Sequence, residues 1–181
     1  MSTAKTLLTA EDLLAMDEDE RYELVRGELV AMPPSPGVRH ANVTSNLVTF
    51  LTLHGQFRGL GKVFDNGGFR IERDPDTVRA PDVAFVVKDR LPQGDLPEGY
   101  LDLTPDIVVE VVSPSDSARR IQARVADWLR AGARLVWVAY PDTKTIMVYR
   151  SLTDVKVLTM EDVLDAAPVL PDFSVAVKDC F

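Results

Sequence analysis

The sequence predicts an α/β or α+β domain in which helices flank a mixed β-sheet. The main observation is the β-branched run at residues 107–112, which is typical of a strand covered on both faces. Residues 113–116 offer N-cap side chains for a helix whose apolar period ends at Gly132. A second apolar strand follows at residues 134–140, so one helix crosses between two strands of the predicted sheet.

The length and the hydrophobic content of 46% fit one domain, residues 1–181, of which residues 1–8 are expected to be loose. A helix-start pattern at residues 9–12 predicts a short first helix. Residues 22–30 form two strand arms around Gly27, which can take the positive φ of a tight turn.

The middle of the chain begins with a proline-rich loop at residues 32–37. The 3.6-residue apolar period at residues 43–54 then predicts a second helix. Residues 62–64 and 68–73 are predicted strands around Asn66-Gly67, and residues 79–87 are a further strand. A loop at residues 88–104 follows this group of strands.

The C-terminal part is predicted to be rich in strands. Residues 134–140 and 145–149 form a hairpin, and residues 155–158 add a short edge strand. Residues 160–166 are predicted to form a brief helix, and the alternating apolar tail at residues 170–181 is expected to dock on the domain.

The net charge of −8 argues against a nucleic-acid partner, because phosphate binding favours a positive field. The charge is uneven, however: between residues 117 and 134 there are five arginines against Asp127 alone. Such a basic helix fits either a weak nucleic-acid site or an ordinary solvated face.

Targeting signals are absent from the sequence. No apolar run approaches the length of a membrane span, and the N-terminus has no signal-peptide pattern. Cys180 is the single cysteine, which excludes an internal disulfide and favours a cytoplasmic location. A membrane partner is therefore not expected.

Two carboxylates in predicted strands are the leading candidates for a functional site. Glu110 interrupts its β-branched run, where an ionised group is costly unless a cation, a metal or several hydrogen bonds meet it. It is either a structural carboxylate paired with an arginine or a metal or proton-transfer group. Asp82 follows Pro81 at the head of the preceding strand. Two carboxylates at adjacent strand ends suit Mg²⁺, which could activate a water for attack on a phosphodiester.

Four other side chains are candidates for the same site. Arg124 lies on or beside the inward stripe of its helix, so it is either a snorkelling arginine or a cation aimed at the strand end. His40, in the first turn of its helix, is either a packing residue or a site residue. Glu23 and Glu28 on the hairpin arms are either solvated strand carboxylates or members of the site.

The ordered set formed by residues 21–30, His40, Pro81-Asp82-Val83 and residues 105–115 resembles the Uma-type family of putative restriction endonucleases. That family belongs to the PD-(D/E)XK nuclease superfamily, and the resemblance extends from about Thr9 to the C-terminus. It implies a restriction-endonuclease-like fold, DNA as the substrate, and a site for Mg²⁺ or Mn²⁺ at Asp82 and Glu110. The residues to which it assigns catalytic roles are Asp82, Glu110, Arg124, His40 and Glu28, with Glu23 as the alternative to Glu28.

The chain departs from the superfamily pattern at its lysine. The position two residues after the glutamate is Val112, and on the following helix, where the family carries its lysine, the chain has Arg124. Arginine keeps the charge and can hold phosphate, but it does not readily lose a proton. Pro105-Asp106 repeats the Pro-Asp pair without matching the motif aspartate.

Three functions remain open from the sequence. The resemblance implies a Mg²⁺-dependent DNA endonuclease, which would act as a homodimer if it cuts both strands of a duplex symmetrically. The first alternative is a nuclease fold that binds nucleic acid or protein without cutting. The second is a carboxylate-pair hydrolase acting on a sugar, which would stay active in chelator.

Overall fold

The computed structural model describes residues 6–16, 21–32 and 37–181. The α-helices in these ranges are α1 (Ala10–Leu14), α2 (Val38–Leu51) and α3 (Ala118–Ala131). A π-helical turn at Thr52–Gln56 extends α2, and short 3₁₀ helices lie at Lys88–Arg90 and Val177–Cys180. The first six strands are β1 (Tyr22–Val25), β2 (Glu28–Ala31), β3 (Gly61–Asp65), β4 (Phe69–Glu72), β5 (Thr77–Arg79) and β6 (Val83–Val87). The remaining strands are β7 (Ile107–Val111), β8 (Leu135–Tyr140), β9 (Thr145–Tyr149), β10 (Val155–Leu158), β11 (Val163–Ala166) and β12 (Leu170–Ala176).

The central layer is a six-stranded sheet in the order β10-β9-β8-β7-β6-β3. The β7–β8 pair is parallel and is joined by α3, whereas the other neighbours in this sheet are antiparallel. A four-stranded sheet, β2-β1-β5-β4, and the β11-β12 pair complete the architecture. The predicted mixed sheet with flanking helices is therefore confirmed. No helix in the described ranges is both long and apolar enough to span a bilayer.

Strand β7 is buried on both faces, which explains its nearly continuous apolar sequence. On one face, alternate residues join the core that contains α2 and β12: Ile107, Val109 and Val111. On the other face, Val108 packs in the core of α3 with Trp128. Because side chains alternate along a strand, Glu110 belongs to this second face.

Local sequence signals explain the element ends. Thr9 and Asp12 form a capping box at the start of α1. The β1–β2 turn places Arg26 and Gly27 at positive φ (51° and 77°), as a tight two-residue hairpin turn requires. Gly132, at φ 105°, ends α3 in the left-handed region.

The start of α3 differs from the prediction that residues 113–116 supply its cap. Ser117 is the N-cap, and its side chain accepts the N–H of Arg120. Asp116 instead accepts the N–H of Ser113 at 2.9 Å, which closes a turn before the helix. The segment contains several residues able to cap a helix, so only the tertiary path selects one.

The prediction of a helix at residues 160–166 is wrong. This segment contains β11, which pairs with β12, and Leu164 and Ala166 alternate as buried residues with the period of a strand. Residues 62–64 and 68–73 are strands as predicted, but β3 pairs with β6 and β4 pairs with β5. Residues 79–87 divide into β5 and β6, which lie in different sheets.

The segment expected to be loose, residues 1–8, is described only from residue 6. Within it, the N–H of Leu8 donates to the carbonyl of Gly27 at 2.9 Å, so this part is tied to the hairpin turn. The loop at residues 32–37 is described only at its two ends. The tail docks as expected, because Phe173 and Val177 are buried in the core beside α2.

Candidate active site

A cleft of about 250 Å³ lies between the base of the β1–β2 hairpin, the first turns of α2 and α3, and the end of β7. Four of the candidate residues line it: Asp82, Glu110, His40 and Arg124. The tertiary structure therefore brings together side chains that are separated by up to 84 positions along the sequence. Two further arginines, Arg21 and Arg120, line the same cleft.

Asp82 and Glu110 come together because β6 and β7 are antiparallel neighbours. Val83 pairs with Val109, so Asp82 lies opposite Glu110 one step further along. The N–H of Val111 donates to Asp82 Oδ2 at 2.6 Å and holds the aspartate at the strand end. The sequence placed the two carboxylates on adjacent strands, and the register brings them to the same cleft.

Glu110 is 4% exposed and receives two donors on the same oxygen. Trp128 Nε1 donates to Glu110 Oε1 at 2.6 Å, and Arg124 Nη2 lies 2.9 Å from that atom. Burial raises the pKa of Glu110, and the negative charge of Asp82 adds to this rise, whereas Arg124 opposes it. The pKa of Glu110 therefore stays above the ordinary glutamate range, because the positive charge of Arg124 does not fully offset burial.

Arg124 is buried and bridges two carboxylates. Its Nη1 donates to Glu23 Oε2 at 2.5 Å, and its Nη2 donates to the carbonyl of Ala80 at 3.0 Å in addition to contacting Glu110. Burial acts to lower the pKa of Arg124, but the charges of Glu110 and Glu23 outweigh it and raise the pKa. The guanidinium is therefore permanently charged and occupied by protein groups.

Glu23 is the second centre of this network. It is 1% exposed, it accepts from Arg79 Nη1 at 2.8 Å, and its Oε1 accepts the N–H of Ala80 at 2.9 Å. Arg79 also forms an ion pair with Asp127 on α3 through its Nη2. Burial acts to raise the pKa of Glu23, yet Arg124 and Arg79 reverse the effect and lower it. Acidic and basic side chains thus alternate along one chain of contacts next to the cleft: Asp127, Arg79, Glu23, Arg124 and Glu110.

His40 contacts Asp82 from the first turn of α2. Its Nε2 lies 3.3 Å from Asp82 Oδ1, and its Nδ1 lies 3.3 Å from the hydroxyl of Thr44. Burial lowers the pKa of His40, but the hydrogen bond and charge of Asp82, with a contribution from Asp116, outweigh burial and raise it. His40 therefore lines the site, which was one of the two interpretations that the sequence left open.

Glu23 and Glu28, the two alternatives from the sequence, differ in their position relative to the cleft. Glu28 is exposed on β2 and is not among the residues that line the cleft. Glu23 lies on the neighbouring strand, opposite Val30, with its carboxylate among the buried arginines. The structure thus separates Glu28 from the cleft, and Glu23 joins the site through Arg124.

Sequence reasoning missed several contributors. Arg79 had a usable signal, because it is a cation at the start of the predicted strand at residues 79–87, three residues before Asp82. Trp128 belongs to the apolar period of α3, which predicts burial of its ring but does not predict a partner for its N–H. Arg21 and Arg120 had no distinguishing signal, because their approach to the cleft depends on how the hairpin and α3 pack.

Two carboxylates of the cleft are candidates for holding a divalent cation. In the part of the chain that the structure describes, no group of three or more His, Cys, Asp or Glu side chains is arranged to hold a metal. Mg²⁺ usually needs only one or two carboxylates, because waters and substrate phosphate complete its shell. Asp82 and Glu110 are two such hard oxygen donors, and a cation between them would oppose the effects of burial and of the Asp82 charge, which raise the pKa of Glu110.

Comparison with known proteins identifies the family of this chain. Residues 10–178 match the sequence profile of the Uma2 family, described as "Putative restriction endonuclease". The chain belongs to the Uma2 family. This match covers most of the chain, so the resemblance expected from the sequence is confirmed. No curated protein matches the chain.

A solved structure supports the fold. The Uma2 chain is similar to a protein from Anabaena variabilis ATCC 29413 described as "a putative nuclease belonging to DUF820". The TM-score is 0.82 at 19% sequence identity, and the similarity covers 96% of this chain and 97% of the other. The shared feature at this identity is the fold.

Proposed function

We propose that this Uma2 protein is a Mg²⁺-dependent endonuclease that hydrolyses phosphodiester bonds of DNA at the cleft. The observation that supports this function best is the meeting of Asp82 and Glu110 across two neighbouring strands in one cleft. Membership of a family described as restriction endonucleases supports the same substrate class. Symmetric cutting of a duplex would require two copies, so a homodimer on DNA is part of the proposal.

Asp82 and Glu110 would hold Mg²⁺ or Mn²⁺. The bound ion would supply an activated water and would neutralise charge on the phosphate. The protein itself orients the ligands: Val111 fixes Asp82 Oδ2, and His40 contacts Asp82 Oδ1. Asp82 is thus constrained before any ion arrives, which reduces the cost of ordering the site.

Arg120 and Arg21 are the cations proposed to face the substrate phosphates. The sequence suggested Arg124 for this role, but Arg124 is engaged with Glu23, Glu110 and the carbonyl of Ala80. Arg120 lies one turn earlier on α3, and its only described partner is the carbonyl of Ala31 at 3.3 Å. Arg21 has no acidic partner among the described residues. Both guanidiniums line the cleft and can accept an anion.

A plasmid-nicking assay with Mg²⁺ or Mn²⁺ tests the proposed activity. Wild type should nick the plasmid only when the metal is present, and Asp82→Ala should abolish nicking because it removes a proposed ligand. Asp172→Ala is the matched control, since this exposed aspartate pairs with Arg58 outside the cleft. Cleavage that persists in chelator, or in Asp82→Ala, would exclude the proposed mechanism.

DNA binding tests the two phosphate contacts separately from cleavage. Arg120→Ala should weaken binding and lower the salt dependence of log K by about one phosphate contact. Arg119→Ala is the control, because this neighbouring arginine is exposed and does not line the cleft. Equal effects of the two changes would mean that α3 attracts DNA only through its general charge.

A second candidate function is a nuclease fold that binds nucleic acid or protein without cutting. The raised pKa of Arg124 favours this function, because a permanently charged arginine cannot exchange a proton in the way that a lysine can. DNA binding without metal-dependent nicking would support this function. A gain of nicking in Arg124→Lys would then show that the arginine is what suppresses the reaction.

A further inference from the structure

The two tryptophans of the chain are both completely buried but differ in their N–H groups. Trp128 Nε1 donates to Glu110 Oε1 at 2.6 Å. Trp137 Nε1 is buried without a hydrogen-bond partner among the described residues, and its ring packs against Phe173 with centroids 5.4 Å apart. The indole N–H of Trp128 is therefore used specifically at the candidate site.

The two donors to Glu110 come from one face of α3. Arg124 and Trp128 are four residues apart, a spacing that places side chains next to each other on a helix. Both reach the same oxygen, Oε1, whereas Oε2 receives no hydrogen bond from the described residues. The carboxylate is thus held at one oxygen and left available at the other, in a residue that lines the cleft.

We propose that Trp128 is a positioning residue that presents a single oxygen of Glu110 to a divalent cation in the cleft. The inference rests on the proposed function, since it takes Glu110 as a ligand of Mg²⁺. A hydrogen bond to the second oxygen of a ligating carboxylate fixes its orientation and favours its ionised form. Trp128 does both without contacting the ion, and its indole is placed to sense the charge on Glu110.

The chain provides a matched pair of substitutions for the test. Trp128→Phe removes the donor, and Trp137→Phe removes an indole of equal size that has no partner. Calorimetric titration with Mg²⁺ should show affinity lower by about 10- to 100-fold in Trp128→Phe, as for other losses of such supporting hydrogen bonds. Trp137→Phe should bind within about twofold of wild type. Plasmid nicking by Trp128→Phe should need more Mg²⁺ and recover as Mg²⁺ is raised.

Fluorescence provides a second readout, and its main measurement uses Trp137→Phe, so that measurement does not depend on the stability of Trp128→Phe. In Trp137→Phe the remaining emission comes from Trp128 and should change as Mg²⁺ saturates the site. In Trp128→Phe the emission of Trp137 should stay constant over the same titration. Emission of Trp128 that is unchanged at saturating Mg²⁺, or wild-type affinity in Trp128→Phe, would overturn the inference.

The failure of the proposed function has a different signature. If wild type itself does not bind Mg²⁺, or if Asp82→Ala binds it with wild-type affinity, the metal site is rejected together with the role of Trp128. If Mg²⁺ binds and Asp82→Ala abolishes binding while Trp128→Phe does not weaken it, only the positioning role is rejected.

Discussion

The two ends of β7 carry buried carboxylates with different surroundings. Asp106, just before the strand, accepts the N–H of Val87 at 2.9 Å and lies 2.9 Å from Arg90 Nη1. Arg134 approaches to 3.7 Å from the other side. Glu110, near the end of the strand, has a buried arginine that it shares with a second glutamate.

The difference shows that burial of a carboxylate does not by itself identify a functional site. At Asp106 the two arginine side chains are 39% and 43% exposed, so they reach inward from solvent and the carboxylate lines no described cleft. At Glu110 the arginine is only 8% exposed, and one carboxylate oxygen remains available to the cleft. The arginines around Asp106 neutralise a buried carboxylate at one end of β7, whereas the arrangement at Glu110 leaves an oxygen that could contact a cation.

The largest effect that we expect comes from the shared arginine. Arg124→Met should destabilise the fold by about 3–5 kcal/mol, because it leaves two buried carboxylates without their common partner. Arg90→Ala, at the other end of β7, should cost about 1–2 kcal/mol, because the buried Asp106 keeps the N–H of Val87 and the nearby Arg134. Urea unfolding of the two variants measures the contrast. Equal losses would mean that the two ends of the strand are energetically alike.

A smaller effect is expected from neutralising the carboxylates themselves. Asp106→Asn should destabilise by about 1–3 kcal/mol, because it weakens buried charge-assisted contacts while it keeps the size of the side chain. Glu110→Gln should be nearly neutral or slightly stabilising, because burial disfavours the ionised form that it replaces. Calorimetry with Mg²⁺ should show loss of binding only in Glu110→Gln. Full metal affinity in that variant would remove Glu110 from the site.

The smallest expected effect is a change in pH dependence at Glu23. Its pKa in the folded protein is lowered from 4.5, so its stabilising contribution is complete above that value and is lost as the pH falls through the lower folded pKa. Thermal unfolding between pH 7 and pH 3 should therefore show a steeper loss of stability in wild type than in Glu23→Gln. Parallel curves would indicate that the Arg79–Glu23–Arg124 contacts do not favour the ionised glutamate.

Much of the fold followed from local patterns. The buried strand at residues 107–112, the helix that ends at Gly132 and the hairpin around Gly27 were predictable, because burial periodicity and turn chemistry are properties of adjacent residues. The segment 160–166 was not, since its four-residue strand is too short to show a clear period and exists only by pairing with β12.

The sequence predicted Asp82 at the head of one apolar strand and Glu110 inside the next, and it placed Arg124 on or beside the inward stripe of the following helix. The three-dimensional structure was needed to show that Glu23 contacts Arg124, that Trp128 donates to Glu110, and that arginines approach Asp106. The physical reason is that strand register, helix docking and sheet-to-sheet packing bring together residues far apart in the chain. Contacts between such distant residues produce no periodic pattern in the sequence, so the sequence alone does not reveal them.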